Sequence, residues 1–229
     1  MRVLFVHGAF VRDGAWWWRP TADILARHGL RSSAAVLPSC ESEPRGDLHD
    51  DAAAVRALLD ASEEPGVPAL LVAHSYGGMV VSEAAAGHPG VHRLVYVTSF
   101  LPDTGEALAD FGTGEPPSWH VSHGDGTASV RPEVLRPLFA QDFDDATHAA
   151  AVERLTTQNE AVFGQRTTAA AWHEIPSTYV VCGDDLATPP SKQRTHAARA
   201  TDVVELPVAH HPFVTRPDLV AEVLLQTTR

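Results

Sequence analysis

The sequence "ALLVAHSYGGMVVSEAAA", which runs from Ala69 to Ala86, changes character in its middle. Residues 69–73 are apolar or small and predict a buried strand, whereas residues 79–86 predict a helix rich in small side chains. Ser75 lies between the two, and two glycines follow Tyr76. The pentapeptide "AHSYG" matches the G-x-S-x-G pattern with alanine in the first position. This pattern is typical of a strained strand-to-helix turn that exposes a serine hydroxyl, and the alternative is an ordinary corner with a capping serine.

Composition and charge limit the class of protein. The 229 residues are 44% hydrophobic and 20% charged, which is enough to bury a sizeable core and favours one domain. The 17 basic and 29 acidic residues give a formal net charge of -12, which repels phosphate backbones and anionic membrane surfaces. We therefore expect no nucleic-acid partner and no membrane partner.

Cysteine use and the N-terminal sequence indicate the compartment. Cys40 and Cys182 are the two cysteines, and no CxxC spacing occurs, which favours a reducing environment. The N-terminal "MRVLFVHGAF" lacks the basic and long apolar regions of a secretory signal, and no later run approaches about 18 uninterrupted apolar residues. These features predict a cytoplasmic protein.

Short apolar runs alternate with helical patterns along most of the chain. Strands are predicted at Arg2–Val6, Ser33–Leu37, Pro68–Ala73, Arg93–Ser99, Thr178–Cys182 and Asp202–Leu206. Helices are predicted at Pro20–His28, Asp47–Ala61, Tyr76–Ala86, Pro190–Arg199 and Pro217–Gln226. This alternation is the rhythm of repeated βαβ units, so we expect an α/β fold with a mostly parallel six-stranded sheet and helices on both faces.

The interval 100–176 breaks this rhythm. It has no convincing pattern of a buried strand, although a helical pattern runs from about residue 144 to 158. We interpret it as a lid inserted over the carboxyl edge of the sheet, where open α/β sheets bind ligands. The chain is then a single domain, 1–229, with a core of 1–99 and 177–229. The lid carries enough aromatic surface to roof a pocket, although at least half of these rings are expected only to pack it onto the sheet: Phe111, Trp119, Phe139, Phe143 and Phe163.

A serine nucleophile needs a base, and the base needs an orienting acid. The sequence "STYVVCGDDLATPP" (177–190) carries Asp184 and Asp185 just after a predicted strand, and "VELPVAHHPF" (204–213) carries His210 and His211 after the last one. The carboxyl ends of parallel strands share one edge of the sheet, so both pairs fall beside the serine. Each residue alone is equally consistent with a turn or a solvated loop. The residues themselves leave open which member of each pair acts.

Five segments give the chain a family resemblance over nearly its whole length. They are "VHGAF", "VAHSYGGMV", "LVYVTSFLP", "IPSTYVVCGDDLATPPSKQR" and "HHPFVTRPDLVAEVL". With them the chain resembles the α/β-hydrolase superfamily, and more narrowly the small esterases grouped with plant methylesterases and hydroxynitrile lyases. The resemblance implies the α/β-hydrolase fold and a serine carboxylesterase that cleaves a small-molecule ester.

The resemblance also selects within each pair of candidates. In the family, the acid precedes a proline and a helix that contains glutamine, and counting back from Gln193 selects Asp185, with Asp184 in reserve. The family's histidine stands two residues before a proline, which selects His210. Because adjacent residues of an extended loop point in opposite directions, we expect His211 at the pocket rim or in solvent.

The turn in "LFVHGAF" (4–10) resembles the oxyanion loop of this family. By that resemblance the amides of Ala9 and Tyr76 bind the oxyanion, and Ser75, His210 and Asp185 form a catalytic triad. His7 and His74 are expected to organise or pack the loops. The reaction needs no metal or organic cofactor. The pair in "WHVSH" (119–123) lacks a third ligand with supporting spacing, so we expect no metal site there.

Two departures from the family bear on the reaction. Hydroxynitrile lyases of this group carry a threonine after the loop histidine and a lysine after the catalytic histidine, whereas this chain has Gly8 and His211. Ester hydrolysis is therefore favoured over cyanohydrin cleavage. A lyase, cyclase or acyltransferase on the same triad, and a non-enzymatic small-molecule receptor of the same fold, remain as alternatives. The sequence does not indicate the acyl chain, the alcohol or the oligomeric state.

Overall fold

The computed structural model of the chain describes residues 1–41, 45–61, 66–114 and 116–228. The strands are β1 Arg2–Val6, β2 Arg31–Ala34, β3 Ala69–His74, β4 Val91–Val97, β5 His120–Ser122, β6 Thr127–Val130, β7 Gln158–Asn159, β8 Ser177–Cys182 and β9 Asp202–Leu206. The helices are α1 Gly14–Arg27, α2 Leu48–Asp60, α3 Gly77–Ala84, α4 Asp145–Val152, α5 Pro190–Ala197, α6 Pro212–Thr215 and α7 Pro217–Thr227.

Six of the strands form one sheet in the order β2-β1-β3-β4-β8-β9, and every pair in it is parallel. The expected α/β fold with a six-stranded sheet is confirmed. Strand β3 is buried along its whole length, which explains why it reads as a continuous apolar run rather than as an alternating one. Its carboxyl end, at His74, therefore lies in the middle of the sheet and opens toward the edge where the loops gather.

Helices cover both faces of the sheet, as the alternation of side chains in β1 requires. Leu4 and Val6 face a core that includes α2 and α3, whereas Val3 and Phe5 face a core that includes α1 and α7. On the second face the Trp18 ring stacks on Phe5 at a centroid distance of 4.4 Å and on Phe213 at 3.9 Å. Burial of an aromatic side chain of this size contributes roughly 1.5–3 kcal/mol, so this stack fixes α1 against the sheet.

Most predicted boundaries lie within two or three residues of the observed ones, but α1 starts earlier than predicted. It begins at Gly14 rather than at Pro20, and the Asp13 carboxylate caps it by accepting a hydrogen bond from the Trp16 amide at 3.3 Å. Pro20 therefore lies inside the helix. Prolines are common at helix starts, which is why the sequence pattern placed the start there.

The interval 100–176 connects β4 to β8 and contains β5, β6, β7 and α4. The expectation that it holds no buried strand was wrong, because β5, β6 and β7 form an antiparallel sheet in which Ala128 and Val130 are buried. These strands have only two to four residues, which is too short for a period of two to be recognised. Helix α4 also ends at Val152, earlier than predicted.

The division of the chain into a core and a lid stays a prediction. Within the described residues, no helix combines the length and the apolar character needed to cross a membrane.

Candidate active site

The turn between β3 and α3 explains the change of character at Ser75. Ser75 has φ of 51°, a left-handed conformation that costs a non-glycine residue about 1–3 kcal/mol. Gly77 allows α3 to start directly against β1, because a Cβ atom there would lie 2.6 Å from the Val6 carbonyl oxygen. The Ser75 carbonyl accepts hydrogen bonds from the Ser99 hydroxyl at 2.7 Å and from the Phe100 amide at 3.2 Å. These two hydrogen bonds stabilise the strained backbone of the turn, while the Ser75 side chain lines a cavity.

A buried acid and a buried histidine meet beside this turn. The Nδ1 atom of His210 lies 2.8 Å from Oδ2 of Asp185, and both side chains are almost completely buried. The other oxygen of Asp185 accepts hydrogen bonds from the amides of Ala187 at 2.8 Å and Thr188 at 2.9 Å. The Thr98 hydroxyl donates to Oδ2 at 2.5 Å. With Nδ1 engaged, the histidine has only its Nε2 atom free for chemistry in the cavity that both it and Ser75 line.

These contacts keep Asp185 ionised. Burial raises the pKa of this carboxyl, but the His210 imidazole and the hydroxyl and amide donors outweigh it, and the pKa lies below its usual value. Gln193 of α5 holds the loop in place, since its carboxamide accepts from the Cys182 amide at 2.8 Å and donates to the Thr188 carbonyl at 2.6 Å. Asp184 is exposed, and its carbonyl accepts a hydrogen bond from the Gln141 amide nitrogen at 2.7 Å. The structure thus brings Asp185, and not Asp184, to His210.

His211 is buried and lines the cavity, so the alternative that placed it in solvent was wrong. Its ring stacks on Trp17 at a centroid distance of 4.9 Å, and its Nδ1 donates to the Phe139 carbonyl at 2.8 Å. Burial and the neighbouring His210 lower the pKa of His211 to about 3, so its ring is neutral at physiological pH. The two imidazoles do not point in opposite directions, because their centroids are 4.9 Å apart and both rings contact His74, so the extended-loop argument was wrong. His211 instead lines the cavity beside His210.

The two predicted oxyanion donors also line this cavity. Ala9 follows β1 and Tyr76 follows Ser75, and neither amide donates a hydrogen bond to another protein group in the part of the chain that the structure describes. Gly8 leaves room beside them, because a Cβ atom there would lie 3.0 Å from the Ser75 Cβ and from the His74 Nδ1. Two amides without a protein partner, one after each of two neighbouring strands, can donate hydrogen bonds to an oxyanion as it forms.

The cavity has a volume of about 670 Å³, and its mostly apolar wall includes several aromatic rings. Four of the five lid aromatics line it, namely Phe111, Trp119, Phe139 and Phe163, so the expectation that at least half only pack was wrong. The fifth, Phe143, packs against Trp17 and His211 instead. The rings line the cavity because it lies between the segment 100–176 and the carboxyl edge of the sheet.

Polar side chains in the cavity wall are few. The Nε2 atom of His120 lies 3.6 Å from a carboxylate oxygen of Glu160, and both residues line the cavity. His123 instead is exposed and bonds to the Ser129 hydroxyl at 2.9 Å, so the two histidines of "WHVSH" do not share a site. Sequence reasoning missed the pair of His120 with Glu160, because the two residues meet only through the fold.

Three imidazoles could hold a metal ion by distance alone. Ligand atoms of His74, His210 and His211 all lie within 4.8 Å of one another. Each ring already uses one nitrogen within the protein: His74 Nε2 bonds to the His210 carbonyl at 3.0 Å, and the other two rings bond as described above. Such a metal would occupy the Nε2 atom of His210.

Comparison with known proteins gives the family. The model of the "Alpha/beta hydrolase family" matches residues 3–223. The "Alpha/beta hydrolase nvfD" of Aspergillus novofumigatus is 30% identical over 210 residues, which cover 83% of this chain and 82% of that protein. "Methylesterase 7" of Arabidopsis thaliana is 26% identical over 255 residues, which cover 98% of this chain and 95% of the relative.

A solved structure gives the same picture. The crystal structure of a pyrethroid hydrolase from Sphingobium faniae superimposes with a TM-score of 0.85 at 26% identity, covering 99% of this chain and 96% of that one. These relatives support an ester-cleaving function and the expected resemblance to plant methylesterases. The chain belongs to the α/β-hydrolase family.

Proposed function

We propose that the chain is a serine carboxylesterase in which Ser75 is the nucleophile, His210 the base and Asp185 the orienting acid. The observation that carries this proposal is the buried bond between His210 Nδ1 and Asp185, at the cavity that the half-buried Ser75, with its strained backbone, also lines. A carboxylate on Nδ1 fixes the tautomer in which Nε2 accepts a proton, and it stabilises the imidazolium cation that follows.

The reaction has two halves. In the first, the Ser75 oxygen bonds to the ester carbonyl carbon while its proton moves to Nε2 of His210, and the amides of Ala9 and Tyr76 bind the oxyanion. Collapse of the tetrahedral intermediate breaks the carbon–oxygen bond, and the alcohol leaves with the proton from His210. In the second, water gives a proton to the same nitrogen as its oxygen bonds to the acyl carbon; the bond to the Ser75 oxygen then breaks, His210 returns the proton to that oxygen, and the acid is released. Each step uses groups that the protein itself supplies.

The cavity indicates the class of ester. A space of about 670 Å³ with aromatic walls suits a small-molecule ester with a sizeable apolar acyl or alcohol part. The names of the relatives, which include a pyrethroid hydrolase and methylesterases, are consistent with this class. In this proposal the segment 100–176 acts as the lid that roofs the substrate.

Two positions favour hydrolysis over cyanohydrin cleavage. At the position where lyases of this group carry a lysine, His211 is a buried, neutral imidazole, so no cation stands there to receive a cyanide leaving group. At the position of their threonine, Gly8 offers no side chain. Both residues lie at the cavity.

The test is a labelling experiment followed by turnover. We expect a fluorophosphonate to add once to the protein, as read by intact mass, and we expect Ser75→Ala to abolish both labelling and hydrolysis of 4-nitrophenyl esters of graded chain length. Ser82→Ala is the matched control, because Ser82 is a buried serine of α3, the helix that follows Ser75, and its hydroxyl lies 3.0 Å from that of Tyr96. Hydrolysis by Ser75→Ala above a few per cent of the wild-type rate would disprove the assignment.

A further inference from the structure

Helix α2 carries an acidic residue on its buried face. Asp51 is fully buried and lies among the apolar positions Leu48, Ala52 and Val55 of the same helix face. None of the ion pairs in the described part of the chain includes Asp51. A buried carboxylate without a cation is costly and is retained only where hydrogen bonds satisfy it.

Three donors satisfy this carboxylate. One oxygen accepts from the Ser39 amide at 2.8 Å, and the other accepts from the Ser39 hydroxyl at 2.6 Å and from the Tyr76 hydroxyl at 2.7 Å. Burial raises the pKa of Asp51 to about 6, against the effect of these donors and with a smaller contribution from Asp47. The group is therefore mainly ionised at neutral pH, and its bond to the phenol is strengthened by charge.

The same network continues to the loop after β1. The Ser39 hydroxyl accepts a hydrogen bond from the Gln158 amide nitrogen at 2.9 Å, and the Gln158 carbonyl oxygen accepts from the Phe10 amide at 3.1 Å. Gln158 is fully buried. Phe10 has φ of 62°, and the bond to Gln158 holds this left-handed turn in place directly after Ala9.

The two ends of the network therefore meet the two proposed oxyanion donors. One end holds the side chain of Tyr76, whose own amide is one donor, and the other end holds the residue that follows Ala9, whose amide is the second. These donors belong to different loops, after β3 and after β1. The pairing of the two strands ends at Val6 and Ala73, so beyond that point the distance between the donors depends on contacts between the loops. A displacement of about 1 Å at such a site is enough to slow a reaction severalfold to a hundredfold.

We propose that Asp51, Ser39 and Gln158 form a buried relay that positions the two oxyanion donors relative to each other. This inference rests on the proposed esterase function. None of the three residues lines the cavity in the described structure, so they are positioning residues that act through Tyr76 and Phe10. A network with only a structural role would stabilise the fold equally well, but its loss would not lower kcat selectively while KM stays unchanged.

The two ends of the relay give the test variants. Tyr76→Phe removes the phenol that Asp51 holds, and Gln158→Met removes the carboxamide at the other end while keeping its length. We expect each to lower kcat on a 4-nitrophenyl ester by about 10- to 100-fold with KM within about twofold. We expect the same factor in the affinity for a trifluoromethyl ketone, because its adduct with the serine carries an oxyanion and the ester ground state does not.

A second buried hydroxyl pair is the matched control. Tyr96→Phe removes the β4 hydroxyl that pairs with Ser82 of α3, and neither residue is among the described residues that line the cavity. We expect it to lower the free energy of unfolding without changing kcat more than twofold. Tyr76→Phe and Gln158→Met will lower kcat more than Tyr96→Phe does only if the network positions the two oxyanion donors.

The outcomes separate the relay from the proposed function. Should Tyr76→Phe and Gln158→Met lose stability like Tyr96→Phe while kcat and the ketone affinity stay within twofold of wild type, the relay is disproved and the network is structural. Tyr76→Phe, which removes one oxygen, decides alone if Gln158→Met does not fold by circular dichroism. Retained hydrolysis in Ser75→Ala would instead overturn the esterase itself, and that measurement does not involve the relay.

Discussion

The Nδ1 atom of His210 lies 2.8 Å from Oδ2 of Asp185, whereas Nδ1 of the adjacent His211, whose ring centroid is 4.9 Å from that of His210, donates to the Phe139 carbonyl at 2.8 Å. The imidazoles of two consecutive residues therefore bond to different groups, one to a carboxylate and the other to a backbone carbonyl. Only the first is paired with a carboxylate that is able to stabilise an imidazolium cation.

This pairing predicts unequal effects of the two histidines. We expect His210→Ala to lower kcat by about 10³-fold or more, as the loss of a triad base does, and His211→Ala by about tenfold or less. Both variants are assayed with one soluble ester at saturation. Circular dichroism is the control, since His211 packs on Trp17 and its removal also weakens the fold. An inactive His211→Ala beside a mildly affected His210→Ala would reverse the assignment.

The acid loop predicts a similar contrast. Asp185→Asn keeps the size of the side chain but places a neutral amide against His210, and we expect kcat to fall by about 10²- to 10⁴-fold. Asp184→Asn, on the exposed neighbouring residue, is expected to stay within about threefold of wild type. The measurement is kcat for the same ester across pH 6 to 9. Equal losses of kcat in the two variants would mean that the bond between Asp185 and His210 has no special role in turnover.

Much of the fold was predictable because its signals are local. Strands β1 and β9 match their predicted bounds, and α2 lies one residue inside its prediction at each end, since Asp47 gives a capping box that is visible in the sequence. The strands of the interval 100–176 were not predictable, because two to four residues carry no usable period. The likeness to relatives supplied the choice of Asp185 over Asp184, which the residues alone left open.

Other parts of the site depend on where side chains end up in space. The position of His211 was missed because its neighbours come from other segments of the chain. The ring packs against Trp17 and Phe143, and this packing buries it. Asp51 offered a signal that was available but unused: an acidic residue in phase with Leu48, Val55 and Leu59 on an otherwise apolar helix face. Its partners at Ser39 and Gln158 come from distant parts of the chain, so the relay itself was beyond sequence reasoning.

The close packing around Gly8 gives a third prediction. A methyl group there would lie 3.0 Å from the Ser75 Cβ and from the His74 Nδ1, so we expect Gly8→Ala to push the serine out of line and lower kcat by at least about tenfold. Gly164→Ala is the matched control, because its nearest neighbour would be 4.0 Å away and its φ is negative. If the two variants retain equal activity, the close approach of Gly8 to the serine has no role in turnover.

The same region predicts the outcome with a cyanohydrin. Because Gly8 and the neutral His211 replace the two side chains that lyases of this group use, we expect mandelonitrile to be cleaved no faster than in buffer. The formation of benzaldehyde is followed by absorbance, with ester hydrolysis by the same preparation as the positive control. Release of benzaldehyde well above the buffer rate would favour the lyase reaction.

Finally, the buried state of His211 predicts how stability depends on pH. The pKa of His211 is lowered from 6.5 to about 3, by burial first and then by His210, so the unfolded chain takes up a proton as pH falls below 6.5 while the folded chain does not. The contribution of this histidine to stability is therefore complete above pH 6.5 and is lost as pH falls toward 3. Linkage gives a loss of about 2 kcal/mol in the free energy of unfolding between pH 8 and pH 5 for this one group. We expect His211→Phe, which keeps the stacking on Trp17, to reduce that loss by about the same amount in urea denaturation at the two pH values. His211 also lowers the pKa of His74, so the difference between the two proteins includes the response of that neighbour. Parallel losses in wild type and variant would show that His211 is not held neutral in the folded state.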